Sequence, residues 1–289
     1  IQLMTILIYR VLLLTHERLC PKEKIMGFQQ NELLVEFAGD VLIITLNRPE
    51  QRNALTFGMY HKISELCQQA GTHLDDRGVK AIVISGAGEK AFAAGTDIGQ
   101  FKSFKTIQDG HDYEARIEAV ISSIETCRVP VIAALHGAVT GGGLVIAAAA
   151  HLRLASADVQ IGMPIARTLG NCLAIANLRR LVALFGEARV AHMILTAELL
   201  SADQALASGF VHDVLEDRVT MLARATELAQ RLTKMAPVTI QSSLDGLRRL
   251  RHATACPDDT DLITACYNSD DFAEGVAAFL EKRKPNWSG

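Results

Sequence analysis

The chain predicts an α/β fold, with a core of repeated strand–strand–helix units followed by a helical C-terminal region. Three observations carry this expectation. Short β-rich apolar runs alternate with amphipathic helical stretches over the first two thirds of the sequence. Paired strands before a helix recur without sequence identity between copies, which points to stacked turns and away from a two-half nucleotide-binding sheet. After Pro164 the pattern becomes almost wholly helical.

The elements follow in order. Leu33–Phe37 and Val41–Leu46 are β-rich runs around Ala38–Asp40 and form a hairpin, which Asn47–Pro49 stops. Thr56 caps a helix with Met59, Ile63, Leu66, Ala70 and Leu74 on one face. Lys80–Ser85 is a buried strand, and Gly86–Lys90 is a turn. In KAFAAGTDIGQ (90–100) small residues bring the backbone into the open directly after a strand, and Asp97 caps the turn behind them. Tyr113–Thr126 is a helix with Ile117, Val120, Ile121 and Ile124 on its apolar face. Val131–Leu135 is a strand, HGAVTGGG (136–143) a glycine turn, and Leu144–Ala150 a helix. His151–Ala155 and Val159–Gly162 are two further strands. Helices are expected over Leu173–Leu184, Ala188–Thr196, Ala202–Ser208 behind Ser201, Arg218–Met235, Val238–Arg251 and Phe272–Lys284. The composition shift near residue 200 divides an α/β unit (26–200) from a helical region (201–289) whose apolar faces suit contact with other subunits.

Composition narrows the function classes. The 289 residues are 49% hydrophobic and 21% charged, with a net charge of −3. The pI is about 6.3. No basic patch supports nucleic-acid binding. Six cysteines without CxxC spacing indicate free thiols in a reducing, cytoplasmic setting, and neither they nor the nine histidines show metal-ligand spacing. Neither GxGxxG nor GxxxxGK[ST] occurs, so those nucleotide loops are not expected. Ile1–Leu14 is apolar but interrupted by Arg10 and too short to span a bilayer. It lacks the charged start and small-residue cleavage site of a secretory signal. Residues 1–25 are taken as an extension, native or appended, with a mitochondrial-type leader the alternative.

The glycine turn carries the first chemical signal. Three consecutive glycines between a strand and a helix leave backbone N–H groups open at a helix N-terminus, where the dipole favours an oxyanion. Taken alone, such a turn is equally well a tight connection with no ligand.

Five stretches, in this order and spacing, settle what the turn belongs to: LNRPEQRNAL (46–55), KAFAAGTDI (90–98), PVIAALHGAVTGGG (130–143), LTAELLSADQALASGFVHDV (195–214) and EGVAAFLEKRKP (274–285). From about Glu32 to Trp287 the chain resembles the crotonase superfamily, the enoyl-CoA hydratase/isomerase family. The resemblance implies a crotonase-like ββα spiral core with a C-terminal helical trimerisation region, assembled as a trimer or dimer of trimers. It implies a coenzyme A thioester as substrate and no further cofactor, metal or membrane. By motif position, the amides of Thr96 and Gly142 would hold the thioester oxygen, a preorganised oxyanion hole. Arg52, Ala54, Ala94, Gly95, Asp97, Ile98 and Gly141 would line the coenzyme A site. Phe279 and Lys282 match terminal-helix residues that meet coenzyme A in the family, in some members from a neighbouring subunit.

The chain departs from the family where proton transfer is expected. The two hydratase glutamates fall at Val145 and Ile165 (Ala166 if the loop is shifted by one), and the acid that begins the next strand is replaced by His151. Each such acid or base contributes ~10²–10⁴-fold in rate, and valine and isoleucine supply neither function. Thr140, Arg167, Thr168, Asn171 and Cys172 are the polar substitutes on loops facing the acyl group; each has an ordinary structural role as its competing explanation. His136 is expected to point into strand packing. Two functions follow: an acyl-CoA hydratase, isomerase or related lyase that uses a different acid/base, or a non-catalytic acyl-CoA-binding homologue.

Overall fold

The computed structural model describes residues 31–71, 78–253 and 258–287. The expectations for residues 1–25, and for Leu74 in the first helix, lie outside these.

Strands β1 (Leu33–Ala38) and β2 (Val41–Leu46) pair antiparallel around Gly39, which turns with φ +64. Strand β3 (Ala81–Gly86) continues the sheet in parallel, and its residues are buried throughout. From there the chain alternates between two sheets. Strands β4 (Ala91–Ala93), β6 (Ala138–Thr140) and β8 (Gln160–Gly162) form a small three-stranded sheet. Strands β5 (Val131–Leu135), β7 (Leu152–Ser156) and β9 (Asp213–Leu215) complete a six-stranded sheet of order β1-β2-β3-β5-β7-β9. Each pair β3/β4, β5/β6 and β7/β8 therefore contributes one strand to each sheet before a helix follows. This is the expected ββα spiral.

Helix α1 (Phe57–Gln69) starts at Thr56, whose side chain accepts from the Met59 amide. Helix α2 (Ile107–Glu125) begins six residues earlier than expected. Thr106 and Asp109 form a capping box there, and Gly110 is no breaker because the Tyr267 ring occupies the space its Cβ would need. Helix α3 (Gly142–Ala149) starts on the glycine turn, and α4 (Ile165–Thr168) is a single turn after Pro164. Helices α5 (Ile175–Phe185), α6 (Glu187–Thr196) and α7 (Ala202–Ala207) follow, the last closed by a Ser201–Gln204 capping box.

The composition shift near residue 200 does not coincide with the edge of the sheet. β9 pairs in parallel with β7, and helix α8 (Arg218–Leu232) buries Met221, Ala225 and Ala229 against Val83, Ile132 and Leu154 on the sheet's outer face. The larger core lies on the other face, around α1, α2 and α3. Helix α9 (Pro237–Arg251) has no fully buried residue and exposes Val238, Leu247 and Leu250. Helix α10 (Thr260–Tyr267), unforeseen in the sequence, packs on α2, and α11 (Asp270–Glu281) is the last helix of the described residues. Among the described residues no helix is long and apolar enough to cross a membrane.

Candidate active site

Three segments far apart in sequence meet at the strand ends. The loop after β2 is built around two residues with positive φ, Arg52 (+50) and Asn53 (+55). Asn53 tolerates this conformation because its buried side chain is fully used. Its amide donates to Ala87 O (2.9 Å) and Ala91 O (2.7 Å), and its Oδ1 accepts from the Arg48 amide. The loop then pairs with the segment after β4. Ala94 N donates to Arg52 O, Leu55 N to Gly95 O and Asp97 N to Leu55 O, at 2.8–3.0 Å. Arg48 reinforces the join, donating to Ala54 O (2.5 Å) and pairing with Asp97 (2.8 Å) and Glu32 (3.3 Å). Asp97 also caps the turn, accepting from Gly99 N at 3.0 Å. Arg52, Ala54, Ala94, Gly95 and Asp97 are thus brought to one place, with Arg52 exposed.

The glycine turn closes on this segment. Gly141 turns with φ +52, and a Cβ on it would lie 3.3 Å from the Gly95 Cα. A Cβ on Gly142 would lie 2.0 Å from the Tyr60 hydroxyl and 3.0 Å from Thr96 Oγ1. On Gly143 it would reach 2.3 Å from the Ala93 carbonyl oxygen. Each of the three glycines therefore has its own steric reason. Beneath the turn, Thr96 Oγ1 bridges two buried phenols, 2.9 Å from Tyr60 and 2.9 Å from Tyr113. Burial pushes both phenols well above their ordinary pKa, so both stay protonated.

Val145 is buried on α3 within the main core, and Ile165 packs against that core half-buried. His151 is structural: its Nδ1 accepts from the Val131 amide at 2.9 Å, and burial lowers its pKa to about 4, leaving it neutral. His136 is fully buried, with Nε2 3.0 Å from Gly88 O, so it does face strand packing. Of the substitutes, Arg167 and Thr168 are exposed, and Thr168 donates to Pro164 O in its own helical turn. Thr140 is buried in β6. Asn171 and Cys172 contact a cluster absent from the sequence expectations.

That cluster centres on Glu114. Its carboxyl accepts a hydrogen bond from the Tyr267 hydroxyl at 2.7 Å, and both groups are buried. Desolvation raises the Glu114 pKa to about 7, helped by the charges of Asp259 and Glu118 and opposed by the Tyr267 hydrogen bond. Tyr267 is also bonded by Asn171, and Cys172 by Cys266; burial pushes the Cys172 thiol up, so it is no thiolate. Beside it lies a cavity of about 450 Å³ whose walls include Phe101, Phe104, Tyr267, Phe272, Val276 and Leu280. The terminal helix lines this cavity through Phe272 and Val276, while Phe279 and Lys282 are exposed. Among the described residues no three His, Cys, Asp or Glu side chains gather as metal ligands.

The family profile of enoyl-CoA hydratase/isomerase matches residues 36–289. The chain belongs to this family. It is 32% identical to a short-chain-enoyl-CoA hydratase of Clostridium acetobutylicum over 257 residues, 88% of this chain and 96% of the relative. It is 33% identical to a probable enoyl-CoA hydratase of Bacillus subtilis over 252 residues, covering 86% and 95%. Among solved structures it resembles a methylmalonyl-CoA decarboxylase in complex with 2-nitronate-propionyl-CoA, with a TM-score of 0.79 at 26% identity over 89% of this chain and 98% of the other.

Within this family framework, the sequence reading missed Arg48, Asn53, Tyr60, Tyr113, Glu114 and Tyr267. A signal existed for Asn53, since RN between a proline turn and a helix marks a strained loop. None existed for Glu114, whose partner lies 153 positions away.

Proposed function

We propose that this chain is an acyl-CoA-processing enzyme of the enoyl-CoA hydratase/isomerase type that polarises the thioester without the usual glutamate pair. In this reading the thioester oxygen sits between the amides of Thr96 and Gly142. The observation that carries it is the close approach of the 94–97 segment to the Gly141–Gly142 turn, where a Cβ on Gly95 would lie 4.0 Å from Gly142 N. Two preorganised donors aimed at a developing enolate oxygen form the largest single term in many such reactions. Arg52, Ala54, Ala94, Gly95, Asp97, Ile98 and Gly141 line the coenzyme A side, and Phe279 and Lys282 extend it from the terminal helix. Exposed Val238, Leu247 and Leu250 on α9 support assembly as a homotrimer or dimer of trimers. The free thiols of Cys67, Cys127, Cys172 and Cys266 suit the cytoplasm.

The test uses purified protein and enoyl-CoA thioesters with short, long, branched and aromatic acyl groups. Turnover is expected with at least one. Gly142→Pro removes one amide donor at the first helical position, where proline fits, but its ring would strike Tyr60. It is therefore placed in a Tyr60→Phe background and compared with Tyr60→Phe alone. A drop of ~10²–10³-fold in kcat is expected. No turnover across the panel overturns the enzyme reading, and coenzyme A thioester binding without turnover makes the chain a non-catalytic binder.

A further inference from the structure

Two carboxyl groups are buried among the described residues, Glu114 and Glu125. Glu125 is neutralised by Arg180 at 3.0 Å and Arg251 at 2.5 Å. Glu114 has no ion pair among the described residues; a phenol hydroxyl is its hydrogen-bond partner. Burying a carboxyl without a cation costs stability, and the same space would hold glutamine or leucine more cheaply. Its hydrogen-bond partner Tyr267 lines the cavity described above, and an unpaired buried carboxyl behind such a wall marks a functional candidate.

Its surroundings connect it to the proposed thioester site. Neighbouring Tyr113 bonds Thr96 Oγ1, and the charge of Glu114 acts on both the Tyr60 and Tyr113 phenols. Tyr60 in turn abuts Gly142. The segment carrying Asn171 and Cys172 contacts the same cluster. Asn171 Oδ1 is buried there without a hydrogen-bond partner.

We propose that Glu114 is the acid/base of this enzyme, taking over proton transfer from the two positions held by Val145 and Ile165. The inference rests on the acyl-CoA reading above. As a carboxylate, Glu114 removes a proton from the carbon α to the thioester carbonyl. That C–H bond breaks, its electron pair enters an enolate, and the negative oxygen is held by the Thr96 and Gly142 amides. In a 3-enoyl thioester the enolate is conjugated, so Glu114 returns the same proton to the γ carbon, the thioester carbonyl re-forms and the double bond moves to C2. No oxidant or second acid is consumed. One carboxyl completes this double-bond shift, whereas hydration calls for two groups, so isomerisation is the favoured chemistry.

A raised pKa near neutrality suits a group that both takes and returns a proton. The groups that face it are Tyr113 and Glu118 on α2, Tyr267 and Cys266 on α10, Asp259 before α10, Cys172, and Tyr60 on α1. None of them is cationic.

The test measures two reactions: isomerisation of 3-enoyl-CoA, and exchange of the α hydrogens of butyryl-CoA in D₂O followed by NMR. Glu114→Gln keeps the shape and an oxygen to accept from Tyr267. It is expected to lower both rates by ~10²–10⁴-fold while acyl-CoA affinity stays within about threefold. The wild-type rate should rise with pH through about 7, and Tyr267→Phe, which removes a bond favouring the carboxylate, should move that inflection to higher pH. A thermal melt confirms that each variant folds. A wild-type enzyme that turns over while Glu114→Gln stays within threefold overturns this inference and leaves the proposed function standing. A wild type inert in both reactions and with the whole enoyl panel overturns the function itself.

Discussion

Tyr267 donates its phenol hydrogen to Glu114 across 153 positions of sequence, at 2.7 Å, inside the protein. The bond satisfies one carboxyl oxygen but supplies no countercharge. Stability should therefore depend on pH in an unusual direction for a carboxyl. The folded-state pKa, about 7, lies above the ordinary 4.5. Glu114 then contributes nothing adverse below pH ~4.5, and stability falls as pH rises through about 7, by on the order of 3 kcal/mol across the window. Glu114→Gln should flatten this part of the profile and melt above the wild type at pH 8. Thermal melts of both proteins between pH 4.5 and 8 decide the matter, and parallel profiles would refute it.

The Tyr60–Gly142 contact predicts a steric coupling. Gly142→Ala places a methyl 2.0 Å from the Tyr60 hydroxyl and should destabilise by about 1–3 kcal/mol. Tyr60→Phe removes the offending oxygen and should recover most of that loss, giving a coupling energy of the same order. Gly143→Ala strikes the backbone oxygen of Ala93 at 2.3 Å instead, so Tyr60→Phe should not rescue it. Urea melts of the double-mutant cycle provide the check. Additive behaviour of Gly142→Ala and Tyr60→Phe would show that the turn moves to avoid the clash.

These contacts mark the limit of what the sequence carried. The β1–β2 hairpin, the buried β3 and the Thr56 and Ser201 caps were legible because period, turn residues and caps are local signals. The strand Ala138–Thr140 lay hidden inside the glycine stretch, since three residues show no periodicity. Glu114 is the deeper case. In DYEARIE a glutamate four residues before another acid looks like a solvated helix face. It is buried only because α10 lies across α2, and α10 is an eight-residue helix with no side-chain cap to announce it. Conversely, Arg167 and Thr168 were polar in the right segment but face outward, because a single helical turn after Pro164 rotates them away from the core.

Glutamates placed at Val145 and Ile165 should differ in what they cost the fold. Val145 is 3% exposed and sits among the apolar residues of the main core. Val145→Glu should cost on the order of 3 kcal/mol or leave the new carboxyl protonated at neutral pH. Ile165, half-buried at the cluster's edge, should accept glutamate with less than about 1.5 kcal/mol of loss. Chemical denaturation of the two single variants would separate them, and equal costs would contradict the burial difference.

Arg48 makes the most local prediction about binding. Its guanidinium joins Glu32, Ala54 O and Asp97, so one side chain fixes both walls of the proposed coenzyme A loop. It does not itself reach the Gly142 turn through any of these bonds. Arg48→Lys keeps the charge but loses the planar fork that serves three acceptors at once. The loop that presents Arg52 and Ala54 should loosen, raising KM for acyl-CoA by about tenfold, while kcat changes by less than about threefold because the Thr96 and Gly142 amides are held by other contacts. Arg48→Met should raise KM further than Arg48→Lys, since it removes every donor and leaves Glu32 and Asp97 without their cation. Steady-state kinetics of both variants test this. A fall in kcat with KM unchanged would mean that Arg48 supports the oxyanion turn and not the loop.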